Sequence, residues 1–420
     1  MTKGKSSFLR NILTLLTGSS VAQAIPIAVT PILTRLYTPH DFGVLAIFVA
    51  VTTIVGSIVS GRYELAVILP ESDDEALNIA ALGLLITTII SLIALVIVCI
   101  FNHDIANMLG NSEVAIWLYL MPFSIFFIGC FNVLNYFNTR MKLYKNIAIA
   151  NINKSIVLSS SQLLIGFFHK GVSGLIIGQF LSSVMCNYKL LKSVLSRYDV
   201  KAAVSKAQMK EVAIRYQDFP KYSSGAILAN TLSYQLLSIL IANFYSVATL
   251  GFYSLVQRVM GMPSNLIGTA VGQVYFNQAT AEKNKHGNCH NIFKNVVKKL
   301  TVLSFFIFTM AYFLVQPIFV FVFGEKWAIA ADYAQILIPF FAVRFVVAVV
   351  TVTNSIFQKQ KISLIWQIFL LVISVSVMLV SNYYQLSFEK FLHIWVVAMV
   401  LHYLILLWIL KRVSKGGLQW

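Results

Sequence analysis

Residues 77–101 read LNIAALGLLITTIISLIALVIVCIF. No charged side chain interrupts this run, and an α-helix needs only about 20 apolar residues to cross the roughly 30 Å hydrocarbon core of a bilayer. Glu75 lies just before it and His103 and Asp104 just after it, so the run reads as a membrane span. The same pattern recurs on both sides. Apolar runs bounded by charges and turn residues fall near 10–33, 42–68, 77–101, 114–137, 146–168 and 172–191. After a polar stretch they resume near 222–243, 249–277, 295–323, 328–356, 363–383 and 391–410. The 420 residues are 58% hydrophobic and 11% charged, with a mean hydropathy of +0.79; soluble domains carry about 25% charged residues. The expected fold is an all-α polytopic membrane protein of twelve spans. Little chain remains for a soluble catalytic domain.

Lys3, Lys5 and Arg10 precede an apolar stretch reaching Ala22-Gln23-Ala24, which resembles a cleavable signal peptide. Thr14, Thr17, Gly18, Ser19 and Ser20 dilute the part that should be greasiest, and the apolar pattern runs on to Leu33. The segment is therefore expected to stay as the first span. Cys99, Cys130, Cys186 and Cys289 are scattered and imply no disulfide framework.

The balance of 32 Lys+Arg against 15 Asp+Glu gives a formal charge of +17. Membrane topology accounts for most of it, and nucleic acid is not an expected partner. With the N-terminus in the cytoplasm, 24 basic residues fall on that side, eight of them between Lys189 and Lys221. Only Arg35, Lys170, Lys326 and Lys390 fall on the other, so the positive-inside rule places both termini inside. The expected organisation is an N-lobe over 1–191, a basic cytoplasmic linker over 192–221 and a C-lobe over 222–420. In the linker, Met209, Val212, Ala213 and Tyr216 have helical spacing beside Lys206, Lys210 and Arg215. That pattern fits either a helix lying on the anionic leaflet or a solvated connector.

Tyr37-Thr38-Pro39-His40-Asp41-Phe42-Gly43-Val44 aligns with Tyr245-Ser246-Val247-Ala248-Thr249-Leu250-Gly251-Phe252 at the opening of the second span of each half. The match predicts a six-plus-six duplication. Halves with an even number of spans enter the membrane alike, so two pseudo-symmetric lobes should be related by an axis along the membrane normal and enclose a central cleft.

Four basic residues, Arg62, Lys154, Arg258 and Arg344, fall within spans, where Glu64 is the one clear acid. A charge at the bilayer centre costs about 2.5–3.5 kcal/mol, so these cations should face an electropositive cavity or a partner. Arg62 and Lys154 are also near enough to span ends to snorkel. Arg62 and Glu64 are two residues apart, which on a regular helix puts them on different faces; Glu64 is therefore expected to pair with Arg258 or Lys154. Asn151, Asn153, Gln162, Gln257 and Gln273 can bind a sugar or join helices. Pro26, Pro31, Pro122, Pro263 and Pro339 interrupt helical runs and permit kinks.

No G-x-x-x-x-G-K-[ST] or H-E-x-x-H occurs. His286, Cys289 and His290 lack a fourth ligand at standard spacing, so no metal site and no cofactor is expected. Glu71-Ser72-Asp73-Asp74-Glu75 could bind a divalent cation but reads rather as a solvated helix start with acids at the positive dipole end. No long external loop groups carboxylates, which disfavours enzymatic function.

Leu33-Thr34-Arg35-Leu36-Tyr37-Thr38-Pro39-His40-Asp41-Phe42-Gly43, then Gly61-Arg62-Tyr63-Glu64-Leu65-Ala66-Val67-Ile68-Leu69-Pro70, resemble the Wzx-type lipid-linked oligosaccharide flippases. These form the polysaccharide-transporter branch of the MOP exporter superfamily, alongside the MATE transporters. Asp218-Phe219-Pro220-Lys221-Tyr222, Gly251-Phe252-Tyr253-Ser254-Leu255, Gln257-Arg258-Val259 and Pro263 also look like that family. The resemblance implies a V-shaped two-lobe transporter moving undecaprenyl-diphosphate-linked sugar repeats across the bacterial inner membrane. Membrane lipids and, as further partners, a polysaccharide polymerase and a chain-length regulator follow from it. Independently of the resemblance, the in-span cations favour an anionic cargo, and guanidinium groups would suit the diphosphate that the resemblance implies. The expected site is Arg62, Lys154, Arg258 and Arg344, with Arg35 at the external rim and Glu64 gating or coupling ions. Asn153, Gln162, Gln257 and Gln273 would line the sugar region or join helices. The rivals are a MATE-type antiporter, which for cationic drugs needs an acidic or aromatic cavity, and a membrane glycan polymerase or ligase, which needs a large external loop.

Overall fold

A computed structural model of the protein describes residues 2–416, with side chains for all of these except 2–16, 201, 265–267, 269 and 270. The side chains of Lys3, Lys5, Arg10, Thr14 and Lys201 thus lie outside the described residues. Sixteen α-helices are described: α1 Thr2–Leu36, α2 Pro39–Gly56, α3 Asp73–Met108, α4 Val114–Leu118, α5 Met121–Arg140, α6 Tyr144–Phe168, α7 Ser173–Leu195 and α8 Val200–Ala203. There follow α9 Lys206–Arg215, α10 Ser224–Phe244, α11 Val247–His286, α12 His290–Phe323, α13 Ala328–Val350, α14 Thr353–Ile356, α15 Gln360–Tyr383 and α16 Phe388–Ser414. No strand occurs among the described residues.

Each expected span falls on a helical stretch, and eight stretches among the described residues are long and apolar enough to cross a membrane by length and composition. Others reach membrane length with more polar sequences: α6 has 25 residues, α7 has 23 and α11 has 40. At about 1.5 Å per residue even 23 residues exceed the roughly 30 Å hydrocarbon core. Large apolar side chains point outward along α3 and α12, including Leu92, Val96, Ile100, Phe305, Phe313 and Phe321. A soluble protein would aggregate through such faces; lipid tails solvate them. The chain is a multi-pass membrane protein.

One expected span is different. The second is expected to be continuous over 42–68, but α2 stops at Gly56, and after a series of turns Tyr63–Ile68 form a 3₁₀ helix. Gly61 (φ 60°) and Arg62 (φ 62°) both take left-handed backbone, which no regular helix accommodates. Prolines behave more nearly as expected. Pro26 and Pro31 lie inside α1, where the Thr30 hydroxyl donates back to Pro26 O (2.7 Å) and that of Thr34 to Pro31 O (3.0 Å). Such back-bonding bends helices. Pro122 separates α4 from α5 by occupying the first turn of α5.

The chain forms two compact units, Met1–Ala248 and Thr249–Trp420. In the first, α6 packs on α1 and α7, α5 on α3 and α7, and α10 on α2. The buried Tyr37 ties α1 to α6 by donating to Gln162 O (2.6 Å). The repeated segments meet here: a Cβ on Gly43 would lie 1.9 Å from Val247 O, so only glycine lets α2 approach the start of α11 this closely. The second unit is built around α13, which packs on α12 and α16. Phe340 of α13 meets Trp395 (4.9 Å) and Tyr403 (5.7 Å) of α16, and Ser304 of α12 donates to Ala342 O at 2.8 Å. Lipid supplies no hydrophobic drive between helices, so this interdigitation and interhelical bonds averaging about 0.6 kcal/mol hold such a unit together.

Candidate functional site

The break after α2 creates the best-defined polar site in the first unit. On a regular helix Arg62 and Glu64 would diverge. The two left-handed residues and the 3₁₀ turn redirect them, and Arg62 Nη1 lies 3.1 Å from Glu64 Oε1, with the side chains 18% and 1% exposed. The expectation that they could not pair, and that Glu64 needs Arg258 or Lys154, is therefore corrected: it assumed a helix that the backbone abandons. Ser60 Oγ donates to Glu64 Oε2 at 2.5 Å, and Arg62 Nε donates to Ser223 Oγ at 3.4 Å. Ser223 ends the π-helical turn Phe219–Ser223 that leads into α10. Tyr63, between the paired residues, donates to Ala213 O of α9 at 2.9 Å.

These bonds lead to the linker. Its apolar stripe neither lies on a leaflet nor faces water: Val212 is buried, and Met209, Ala213 and Tyr216 pack on the cluster holding Tyr63, Leu77, Ala80 and Leu134. The acidic run is likewise engaged rather than merely solvated. Asp73 binds Arg140 Nη2 (2.9 Å) and accepts from Tyr198 OH (2.8 Å). Glu75 binds Arg215 Nη1 (2.8 Å) and accepts from Tyr216 OH (3.1 Å). Between them the buried Asn78 donates to Gln208 Oε1 (2.7 Å) and Ala203 O (2.9 Å) and accepts from the Ser205 amide (3.0 Å). Burial, then the bonds to Asp73 and Glu75, raise the pKa of Tyr198 and Tyr216. The bond to Glu75 raises that of Arg215.

The remaining in-span cations occupy other places. Lys154, half-buried on α6, holds its Nζ 5.4 Å from the Phe131 ring centre, beside the exposed Asn153. In the second unit Arg344 of α13 places its Cζ 5.8 Å from the Phe340 ring, one turn earlier, and its charge reaches the buried Tyr253 of α11. Gln257 Nε2 donates to Tyr253 OH at 2.7 Å, and the half-buried Arg258 follows it. Among the described residues no carboxylate lies within ion-pairing distance of Lys154 or Arg344. Arg35 is exposed in the last turn of α1 and donates to Pro31 O at 3.2 Å. Gln162 joins helices, its Nε2 donating to Leu175 O of α7 at 3.1 Å, while Gln273 is exposed on α11. No cluster of three or more His, Cys, Asp or Glu fit for a metal occurs among the described residues.

A family model described as "Polysaccharide biosynthesis protein" matches residues 32–332. The chain belongs to the polysaccharide biosynthesis protein family. Its fold is similar to that of the lipid II flippase MurJ in an inward closed conformation, with a TM-score of 0.75, 12% identity and coverage of 96% of this chain and 87% of that one. It also resembles an inward-facing multidrug resistance MATE family transporter of the MOP superfamily, with a TM-score of 0.64, 15% identity and coverage of 96% and 92%. A MOP superfamily transporter from Pyrococcus furiosus, described by the reverse polarity of its binding pocket, matches with a TM-score of 0.59, 16% identity and coverage of 97% and 96%. At these identities the likeness establishes the fold, which is the helical MATE/MurJ type. No curated protein sequence matches the chain.

In this polysaccharide biosynthesis family protein, sequence reading missed Ser60, Ser223, Tyr63 and Asn78 as parts of the polar network. One signal was present: Gly61 inside an expected span marks a position where a helix can break. Nothing in the local sequence indicates that Asn78 receives the linker, because its partners lie about 125 residues away.

Proposed function

We propose that the protein is a flippase that carries undecaprenyl-diphosphate-linked oligosaccharide repeat units from the cytoplasmic to the periplasmic leaflet of the bacterial inner membrane by alternating access. The observation that carries this reading is the placement of Lys154 and Arg344. Lys154 has the Phe131 ring and the Cys186 thiol near it, Arg344 has the Phe340 ring and Tyr253, and among the described residues neither has a carboxylate within ion-pairing distance. A cation–π contact returns about 0.5–2 kcal/mol, less than the roughly 2.5–3.5 kcal/mol that a buried cation costs. The aromatic contact alone does not offset that cost, whereas an anionic cargo does. Arg258 acts with them, and Arg35 meets the headgroup at the external rim. Glu64 gates the site: it holds Arg62, and a diphosphate competing for that guanidinium releases the pair. Asn153, Gln257 and Gln273 serve the sugars.

Family membership in polysaccharide biosynthesis supports a glycan-linked cargo, and the MurJ-like fold supports a flipping mechanism. The cytoplasm takes the basic connections, and a polymerase with its chain-length regulator consumes the product. A cationic drug is a poorer cargo, since the one clear in-span acid, Glu64, is already bound to Arg62. Reconstitution with labelled lipid-linked oligosaccharide tests the reading. Lys154→Ala, Arg258→Ala and Arg344→Ala should each lower flipping at least tenfold at normal protein levels. Wild-type rates in all three would remove these residues from the site.

A further inference from the structure

Basic residues near the polar ends of the helices meet different surroundings in the two units. In the first, Arg140 and Arg215 are bound to Asp73 and Glu75. In the second, the segments 283–299, 359–361 and 411–415 carry ten basic residues and no acid, and Glu282 is the one acid adjoining them in sequence. That acid already accepts the Ile292 amide at 3.0 Å. Lys283 is committed as well, donating to Ile356 O at 2.6 Å.

Three of the others converge. Lys294 in the first turns of α12, and Lys411 and Lys415 at the end of α16, are exposed and all lie close enough to His290 to act on its charge. The two helix ends are fastened together: the Cys289 amide donates to Ser414 O (2.9 Å), and His290 Nδ1 lies 3.2 Å from Ser414 Oγ. Four residues back from Arg412, the half-exposed Trp408 stacks under its guanidinium, with Cζ 3.8 Å from the ring centre. A tryptophan beneath a basic cluster marks the level where hydrocarbon gives way to headgroups.

We propose that Lys294, Lys411 and Lys415 form a binding site for the headgroup of an anionic phospholipid, with the Trp408–Arg412 pair fixing its depth. The cations come from the ends of two membrane-crossing helices, at the level of a lipid phosphate rather than out in solvent. The α12 N-terminus adds its dipole. This inference needs only a membrane-spanning chain and does not depend on the transport reading.

The test uses the purified full-length protein and native mass spectrometry with phosphatidylglycerol or phosphatidylcholine. Wild type should retain phosphatidylglycerol selectively. A lysine near an anionic surface contributes about fivefold in binding, so a Lys294→Gln, Lys411→Gln, Lys415→Gln triple variant should bind about 100-fold more weakly. A triple Lys→Arg variant should keep the lipid, which preserves the test if the neutral variant folds poorly. A control with Lys142, Lys145 and Lys206 changed to Gln should bind as wild type does. Four results would each overturn the proposal: no lipid preference in wild type, equal loss in the control, loss in the arginine variant, or displacement of the lipid by an equal concentration of inorganic phosphate. Because no flipping is measured, failure here is distinct from failure of the transport reading.

Discussion

Glu64 is almost fully buried, and its charge is met by Arg62 and Ser60. Removing one partner of a buried pair costs about 3–5 kcal/mol because the other charge stays behind, whereas removing both costs far less. Arg62→Ala should therefore lower thermal stability in detergent much more than the double variant Arg62→Ala, Glu64→Gln. Additive effects in a double-mutant cycle would show that the pair does not act as a unit. At Gly43 the argument is steric. An added Cβ would meet the Val247 carbonyl oxygen, a backbone atom that no rotamer change moves away. Gly43→Ala should cost about 1–3 kcal/mol, seen as a lower Tm, and Val247→Ala should not rescue it. Rescue would mean that the valine side chain, not the backbone, sets the contact.

The linker acts as one element. Asp73, Glu75, Asn78 and Tyr63 hold it on the first unit at Tyr198, Arg215, Tyr216, Gln208 and Ala213. Tyr198 and Tyr216 have pKa values raised above the ordinary value of 10.0, so docking favours the neutral phenols. The stability they contribute is whole below pH about 10, where an unfolded tyrosine is protonated, and is lost as pH rises through the raised values. Amide exchange across 200–216 should be slow at pH 8 and quicken above pH 10 beyond the intrinsic chemical rate. Tyr198→Phe with Tyr216→Phe should weaken docking at pH 8 and flatten this dependence. Exchange that is fast at pH 8 in the unaltered chain would contradict a docked linker. The sequence showed the amphipathic stripe but not its cover, since a helix face looks the same whether lipid, water or protein meets it.

For the molecule as a whole, the distribution of 24 basic residues against four is a topological statement. In a variant with its four cysteines replaced, single cysteines at Lys142, Lys206, Lys298 or Lys359 should resist an impermeant thiol reagent applied to spheroplasts. Cysteines at Lys170, Lys326 or Lys390 should react. The reverse pattern would invert the chain and with it the proposed direction of transport. The twelve helical stretches were legible because lipid imposes one strong rule, an apolar run of sufficient length for each crossing. The second span reads too long because apolar residues resume at Leu65-Ala66-Val67-Ile68 after the backbone has left the helix.

Composition and periodicity by themselves determined that the chain is helical, crosses the membrane many times and carries more cations than acids within its spans, because burial in lipid acts on each residue independently of its neighbours. Tertiary structure alone decided that Arg62 meets Glu64, that Asn78 receives the linker and that α10 packs with the first unit. Those outcomes depend on left-handed backbone at Gly61 and Arg62, and on contacts between residues distant in sequence. A hydropathy pattern carries no information about either.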